Sequence, residues 1–194
     1  TRAELIHNNQ GLGMLRESIE KELAPDWARD EYDNAAMAWG RNNEAGALSV
    51  LELETGLSIR DPGLIFHPSM PFVAGTPDGV ADNGDNRISI QIKCPYNPKR
   101  HLDNLYGGGA IKTQYWYQVQ WEAWLLDATK ILFVSYDPRQ PLATQLAIIG
   151  IEVDLDTRHQ FAQNARAFQR YMDGEAVNSG GKLSVLPGHI PEVF

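Results

Sequence analysis

Cysteine is nearly absent from this 194-residue chain: Cys94 stands alone. A single thiol cannot build an internal disulfide framework, and a reducing cytoplasmic setting is the expectation that follows. Long apolar runs are missing too. None approaches the ~20 residues needed to cross a bilayer, so no membrane partner is expected. No secretory leader is legible. Repeats, low-complexity tracts and heptads are also lacking, and the five histidines show no metal-ligand spacing. Nor is there an excess of basic charge. Lys and Arg number 17 against 25 Asp and Glu, a formal net charge of −8, which argues against a general nucleic-acid binder with a broad basic footprint. An enzyme acting on nucleic acid survives this test, because a site that collects Mg²⁺ concentrates carboxylates and the ion then reverses the local sign.

What is present suits one α/β (α+β) domain over residues 1–194, with 174–194 a glycine- and proline-rich surface tail. Leu12, Leu15, Ile19 and Leu23 predict a helix over Gly11–Leu23, ended by Ala24-Pro25-Asp26. A second helix is expected over Asp33–Leu53, capped by Asp33 or Asn34 and stopped by Gly56. Met37, Glu44, Leu48 and Leu51 fall on one of its faces, which turns Glu44 toward the core side. Short strands follow at Leu64–Phe66 and Phe72–Gly75, with Gly79–Asp82 continuing the second. Asn83-Gly84-Asp85-Asn86 signals a hairpin turn. Arg87–Lys93 then alternates, with Ile88, Ile90 and Ile92 on one face and Ser89, Gln91 and Lys93 on the other. Pro95–Gly109 reads as a loop, Ile111–Asp127 as a helix, and Ile131–Tyr136 and Gln145–Val153 as strands. A final helix capped by Asp154 or Asp156 runs to about Met172. The order indicates a mixed central sheet flanked by helices.

The chemistry concentrates in Thr76-Pro77-Asp78-Gly79 and Ile90-Gln91-Ile92-Lys93. Gln91 and Lys93 are two apart on a strand, so their side chains emerge together, and a hairpin closed near Gly84 brings Asp78 alongside. An aspartate, an oxygen donor and a lysine above an apolar sheet face suit phosphodiester hydrolysis. Hard cations such as Mg²⁺, with Mn²⁺ as a substitute, take oxygen ligands, which Asp78, Gln91 and the Ile92 carbonyl could supply. Lys93 could orient a water or hold growing negative charge, and Glu44 is the candidate for an additional acid. Each piece also has a plain explanation. Pro-Asp-Gly is most often a turn, and a hairpin lysine is usually solvated. Glu44 could pair with Arg41, and Tyr115 and Trp121 are more often core than base-stacking. Cys94 reads as packing, and Lys99, Arg100 and His101 as either a phosphate grip or a solvated loop.

Several separated motifs then resemble one family, the phage-lambda-type alkaline exonucleases or YqaJ-like viral recombinases of the PD-(D/E)xK nuclease superfamily. They are Ala38-Trp39-Gly40 with Glu44, Thr76-Pro77-Asp78-Gly79, Ile92-Lys93-Cys94-Pro95, and Leu105-Tyr106-Gly107-Gly108. Tyr115, Gln118-Val119-Gln120, Trp124 and Tyr136-Asp137-Pro138 complete the set. The resemblance implies a two-metal exonuclease that degrades linear double-stranded DNA from a 5′ end and leaves a 3′ single strand. It also implies a homotrimeric ring and a single-strand annealing protein as recombination partner. By position it makes Asp78, Gln91, the Ile92 carbonyl and Glu44 metal ligands and Lys93 the residue that assists the water. Thr76, and more weakly Thr1, match hydroxyl residues at the 5′ phosphate; Gln118 matches a glutamine beside the site. The family's arginine upstream of Thr1's position has no counterpart in this chain. Gln91 stands where the family carries an acid. A nuclease-fold DNA binder with weakened catalysis is therefore the alternative, and a PD-(D/E)xK endonuclease a further one.

Overall fold

Two punctuation residues bound the first described helix, and the twenty-one positions between them, Ala35–Thr55 (α1), are all helical. Asn34 Oδ1 accepts the N–H groups of Ala36 and Met37, both at 3.0 Å, meeting two of the donors a helix start leaves open. Gly56 closes the other end in the left-handed region, φ 68°, with its N–H on Glu52 O at 2.8 Å. The computed structural model describes residues 34–108 and 111–172. The expected helix at Gly11–Leu23, Thr1 and the 174–194 tail lie outside them. The chain divides into two compact units, and the elements that matter here belong to Asp33–Arg158.

After α1 come strands β1 (Ile65–His67) and β2 (Met70–Gly75), paired antiparallel as a separate two-stranded ribbon. The main sheet has the order β3-β4-β5-β6, formed by Gly79–Asn83, Asn86–Lys93, Lys130–Tyr136 and Leu146–Ile151. Gly79–Asp82 therefore does not continue β2, as its sequence suggested. Pro77 has no N–H to give a ladder, and the chain leaves the ribbon there to open a new strand. β3 and β4 form a hairpin from Gly79↔Ile90 to Asn83↔Asn86, and Gly84 takes the positive φ, 61°, that its two-residue turn requires. β4 and β5 run parallel and β5 and β6 antiparallel, which makes the sheet mixed as expected.

The crossover from β4 to β5 carries helices α2 (Pro98–Tyr106) and α3 (Thr113–Leu126). Pro95–Gly109 is thus not a plain loop. Asn97 Oδ1 accepts the Lys99 N–H at 3.0 Å and Pro98 opens the helix, a start signal that the basic residues after it obscured. The last helix, α4, spans Leu155–Met172, with Asp154 Oδ1 receiving the N–H groups of Asp156 and Thr157.

Helices cover both faces of the sheet. Ala47 and Leu51 of α1 pack with Ala81, Ile88, Ile90, Ile92 and Val134. On the opposite face Val119, Ala123 and Leu126 of α3 meet Val80, Ile131, Phe133 and Ile149. Residues such as Leu51 and Phe133 are fully buried, each worth roughly 1.5–3 kcal/mol. The α1 face matches the expectation only in part: Leu51 is buried and Leu48 packs against the core, but Glu44 and Met37 are exposed and the small Ala47 makes the close contact. Double coverage also buries the polar stripe of β4, so Ser89 and Gln91 are inside with the isoleucines. Among the described residues no helix is long and apolar enough to cross a membrane.

Candidate active site

The β3–β4 ladder stops at Gly79, and the side chain of Asp78 takes over from it. Its Oδ2 accepts the backbone N–H of Ile92 at 2.6 Å, a bond that a further strand residue would otherwise make. Glycine at position 79 allows a close approach here, and a larger residue would force Ile59 to shift. A Cβ there would lie 2.8 Å from Ile59 Cγ2 and 3.5 Å from Ile90 Cβ. The Pro-Asp-Gly sequence thus works as a strand start under close packing, and it aims a half-buried carboxylate at the end of β4.

Gln91, 2% exposed, projects from β4 toward α3. Its side-chain NH₂ donates to Asp78 Oδ2 and reaches Ile92 O at 3.4 Å. A carboxylate oxygen and a backbone carbonyl therefore converge on one point, and a polar hydrogen fills it. The other end of the amide, Oε1, accepts from Gln118 Nε2 at 2.5 Å. The same Nε2 donates to Glu122 Oε1 at 2.9 Å, one helical turn further along α3. A buried chain results: Asp78, Gln91, Gln118, Glu122.

Glu122 was not singled out in the sequence. It lies 4% exposed, and its second oxygen has no hydrogen-bond partner among the described residues. Burial pushes its carboxyl up to about 8, opposed by the Gln118 bond and by the Lys93 charge, while the Asp78 charge adds to the rise. A sequence signal did exist, an acid set four residues after Gln118 in a helix segment that also carries the apolar Val119, Ala123, Leu125 and Leu126. Asp78 is likewise raised, first by burial; the Ile92 N–H and Lys93 oppose this, and the charges of Glu44 and Asp61 reinforce it. Glu44 is exposed on α1, and its field reaches both Asp78 and Cys94. Burial first, then these acids, push the Cys94 thiol up to about 12, so it stays protonated and packs as expected.

Lys93, half-buried, holds its Nζ 5.4 Å from the Tyr115 ring centroid, and that ring stacks on Phe133 at 5.6 Å. Lys93, Tyr115, Arg100, Lys112 and Asp103 line one cleft of about 290 Å³. Thr76 is exposed between β2 and β3. Trp121 donates its Nε1 to Ala74 O at 3.1 Å, which holds it as packing. Among the described residues no three carboxylate, thiol or imidazole side chains gather as a metal-binding group. At the place where Asp78 and Ile92 O converge, the structure puts the Gln91 amide.

These motifs sit on a shared framework. A family model, the YqaJ-like viral recombinase domain, matches residues 10–129, more than half of the chain. The chain belongs to this family. The family likeness extends to solved structures. LHK-Exo in complex with dAMP is 29% identical, covers 90% of this chain and 86% of its own, and superposes with a TM-score of 0.71. The alkaline exonuclease LHK-Exo from Laribacter hongkongensis is 28% identical over 87% of this chain and 86% of that one, TM-score 0.63. A phage-related exonuclease from Haemophilus somnus 129PT, 14% identical over 87% and 83%, TM-score 0.59, shares the fold. No curated protein sequence matches. The fold of this YqaJ-like chain is accordingly that of a nuclease, with a mixed sheet flanked by helices.

Proposed function

We propose that the chain is a metal-dependent exonuclease acting 5′-to-3′ on linear double-stranded DNA, leaving 3′ single strands for recombination by annealing. One observation carries the reading: Asp78 Oδ2 and Ile92 O converge on a single point beside Lys93. Oxygen donors of this kind suit Mg²⁺, with Mn²⁺ as a substitute. The donor set fits such an ion once the Gln91 amide turns its oxygen inward, with Glu44 adding charge from α1. Asp78 and Ile92 O would hold a divalent cation there, and its chemistry would be Lewis-acid charge at the scissile phosphate. Lys93 stabilises negative charge on the phosphate and orients the attacking water, its ammonium kept in place by Tyr115. Thr76 receives the 5′ phosphate, Gln118 positions Gln91, and Arg100 and Tyr115 line the approach of the backbone. Support for the nucleotide comes from LHK-Exo, whose structure holds dAMP. The substrate is a duplex end with a 5′ phosphate, the assembly a homotrimeric ring, and the recombination partner a single-strand annealing protein.

One specific observation favours a second reading, a DNA-binding protein that cuts poorly: the Gln91 NH₂ already occupies the point where the oxygens meet. Digestion of 5′-phosphorylated linear duplex at several Mg²⁺ concentrations, for this chain and Gln91→Glu, separates the two. Cutting of linear but not closed circular DNA by the parent chain is the expected result. An inert parent that still binds DNA, beside an active Q91E, selects the second reading. Cleavage of closed circles selects an endonuclease.

A further inference from the structure

More positive charge is gathered beside the site than one phosphate calls for. Lys93 closes β4, Arg100 lies on α2 and Lys112 stands immediately before α3, and all three line the same cleft. Among the described residues no carboxylate pairs with any of them. Asp103, the one acid in the lining, is already held by Lys99 at 2.9 and 3.0 Å. In a chain of net charge −8, this is a local reversal of sign that favours an anion. Lys112 also occupies a place where a helix start favours an oxygen acceptor. Asn34, Asn97 and Asp154 cap α1, α2 and α4, whereas the Lys112 side chain makes no capping bond. Its ammonium adds to the positive end of the helix dipole, so the residue does not serve the helix.

The three cations stand in a fixed register. Lys93 Nζ lies 5.4 Å from the Tyr115 ring centroid, and the Tyr115 N–H bonds Lys112 O at 2.9 Å, which puts Lys112 next along from Lys93. Arg100 comes from α2, and that helix is tied down from within. The buried His101 beside it bonds Ser135 Oγ and Thr144 O, and Ser135 pairs with Lys93 across the sheet. From this arrangement we infer that Lys112 and Arg100 bind a second phosphate of the DNA strand, the phosphodiester that follows the one held at Lys93. The inference rests on the nuclease reading above, in which Lys93 meets the phosphate that is cut. A phosphodiester suits the cleft because its single negative charge is answered by an ammonium and by the flat fork of a guanidinium. Grip on the following linkage holds the scissile one in place, and it does so for any base sequence, since phosphate contacts carry none.

The test is equilibrium binding by calorimetry in EDTA, where nothing is cut, of two 5′-phosphorylated single strands to the full chain. A dinucleotide carries the terminal phosphate and one linkage; a trinucleotide adds the second linkage. The parent, Lys112→Ser and Arg100→Gln are compared. The parent is expected to bind the trinucleotide about tenfold more tightly, the worth of a charge-assisted contact. Either substitution should erase most of that gain and leave the dinucleotide affinity as in the parent. Serine caps a helix start better than lysine, so K112S should melt no lower than the parent, and R100Q repeats the test on a different helix. A gain that survives both substitutions overturns the inference and leaves the nuclease reading intact. So does a parent that binds the two lengths equally while it digests linear duplex with Mg²⁺. A parent that neither binds these strands nor digests duplex overturns the nuclease reading and this inference with it.

Discussion

Two acids lie inside the protein on neighbouring elements, Asp137 just beyond β5 and Glu122 on α3, and they are treated in opposite ways. Asp137 is fully buried and fully satisfied. Arg139 gives it the backbone N–H at 3.1 Å, Nε at 2.7 Å and Nη2 at 2.9 Å, and Gln140 adds a longer bond. The same guanidinium lies 4.2 Å over the Trp39 ring and donates to Pro95 O and Tyr96 O, which fastens the segment after Lys93. Burial raises the Asp137 carboxyl, but the Arg139 bonds outweigh it and hold the group below its ordinary value. Glu122 receives one neutral bond and no cation, and is held far above. The Tyr136-Asp137-Pro138 motif is therefore structural, a clamp around Trp39, whereas Glu122 stores a cost beside the site. A fold can bury a carboxylate cheaply when it supplies the charge, as it does at Asp137. At Glu122 it does not, and buried groups left short of partners accompany function more often than chance would place them.

Opposite pH signatures follow, and the larger belongs to Glu122. Its folded-state value lies above the unfolded one, so between about 4.5 and about 8 the folded chain keeps a proton that the unfolded chain has released. Stability is then lost as pH rises through that window, by on the order of 2–4 kcal/mol. Urea unfolding of the parent and E122Q at pH 5 and pH 9 should show the parent falling behind at pH 9; parallel curves would remove the contrast. Next in size, Asp137→Ala should cost roughly 2–3 kcal/mol at neutral pH, because it strips a charged network from a buried site. This deficit should shrink in acid, since a carboxyl held low contributes above its unfolded value and loses that contribution as pH falls. Equal destabilisation at pH 3 and pH 7 would contradict it. The smallest effect is expected for Arg139→Lys, about 1 kcal/mol in the same urea assay at neutral pH. Lysine keeps the charge but loses the fork and the flat stacking on Trp39. A loss as large as that of Asp137→Ala would show that the geometry matters more than the charge.

Much of this was legible beforehand, for reasons that can be named. Asn34, Gly56, Gly84 and the isoleucine alternation of β4 act through local backbone chemistry, and the structure follows them closely. Asp78, Gln91 and Lys93 could be brought together because a short hairpin fixes its own register. Reading failed where a contact across the fold decides. Helical spacing puts Glu44 on the face of Met37, Leu48 and Leu51, although the close approach is made by Ala47 and Glu44 is exposed. Helix α2 was hidden because three successive polar residues, Lys99, Arg100 and His101, resemble a loop. His101 is in fact buried, bonded to Ser135 Oγ at 3.0 Å and Thr144 O at 2.7 Å. Glu122 was passed over because its significance lies in Gln91, which reaches it only through Gln118.

The two-residue turn at Gly84 also sets how much chain must be gathered to assemble the site. Asp78 and Gln91 are 13 positions apart and meet as the hairpin closes, whereas Gln118 reaches Gln91 across 27. Since closure entropy grows only as the logarithm of loop length, the second loop, about twice as long, costs only about 0.6 kcal/mol more. The long crossover is thus an inexpensive way for the chain to bring a distant acid to bear on a local hairpin.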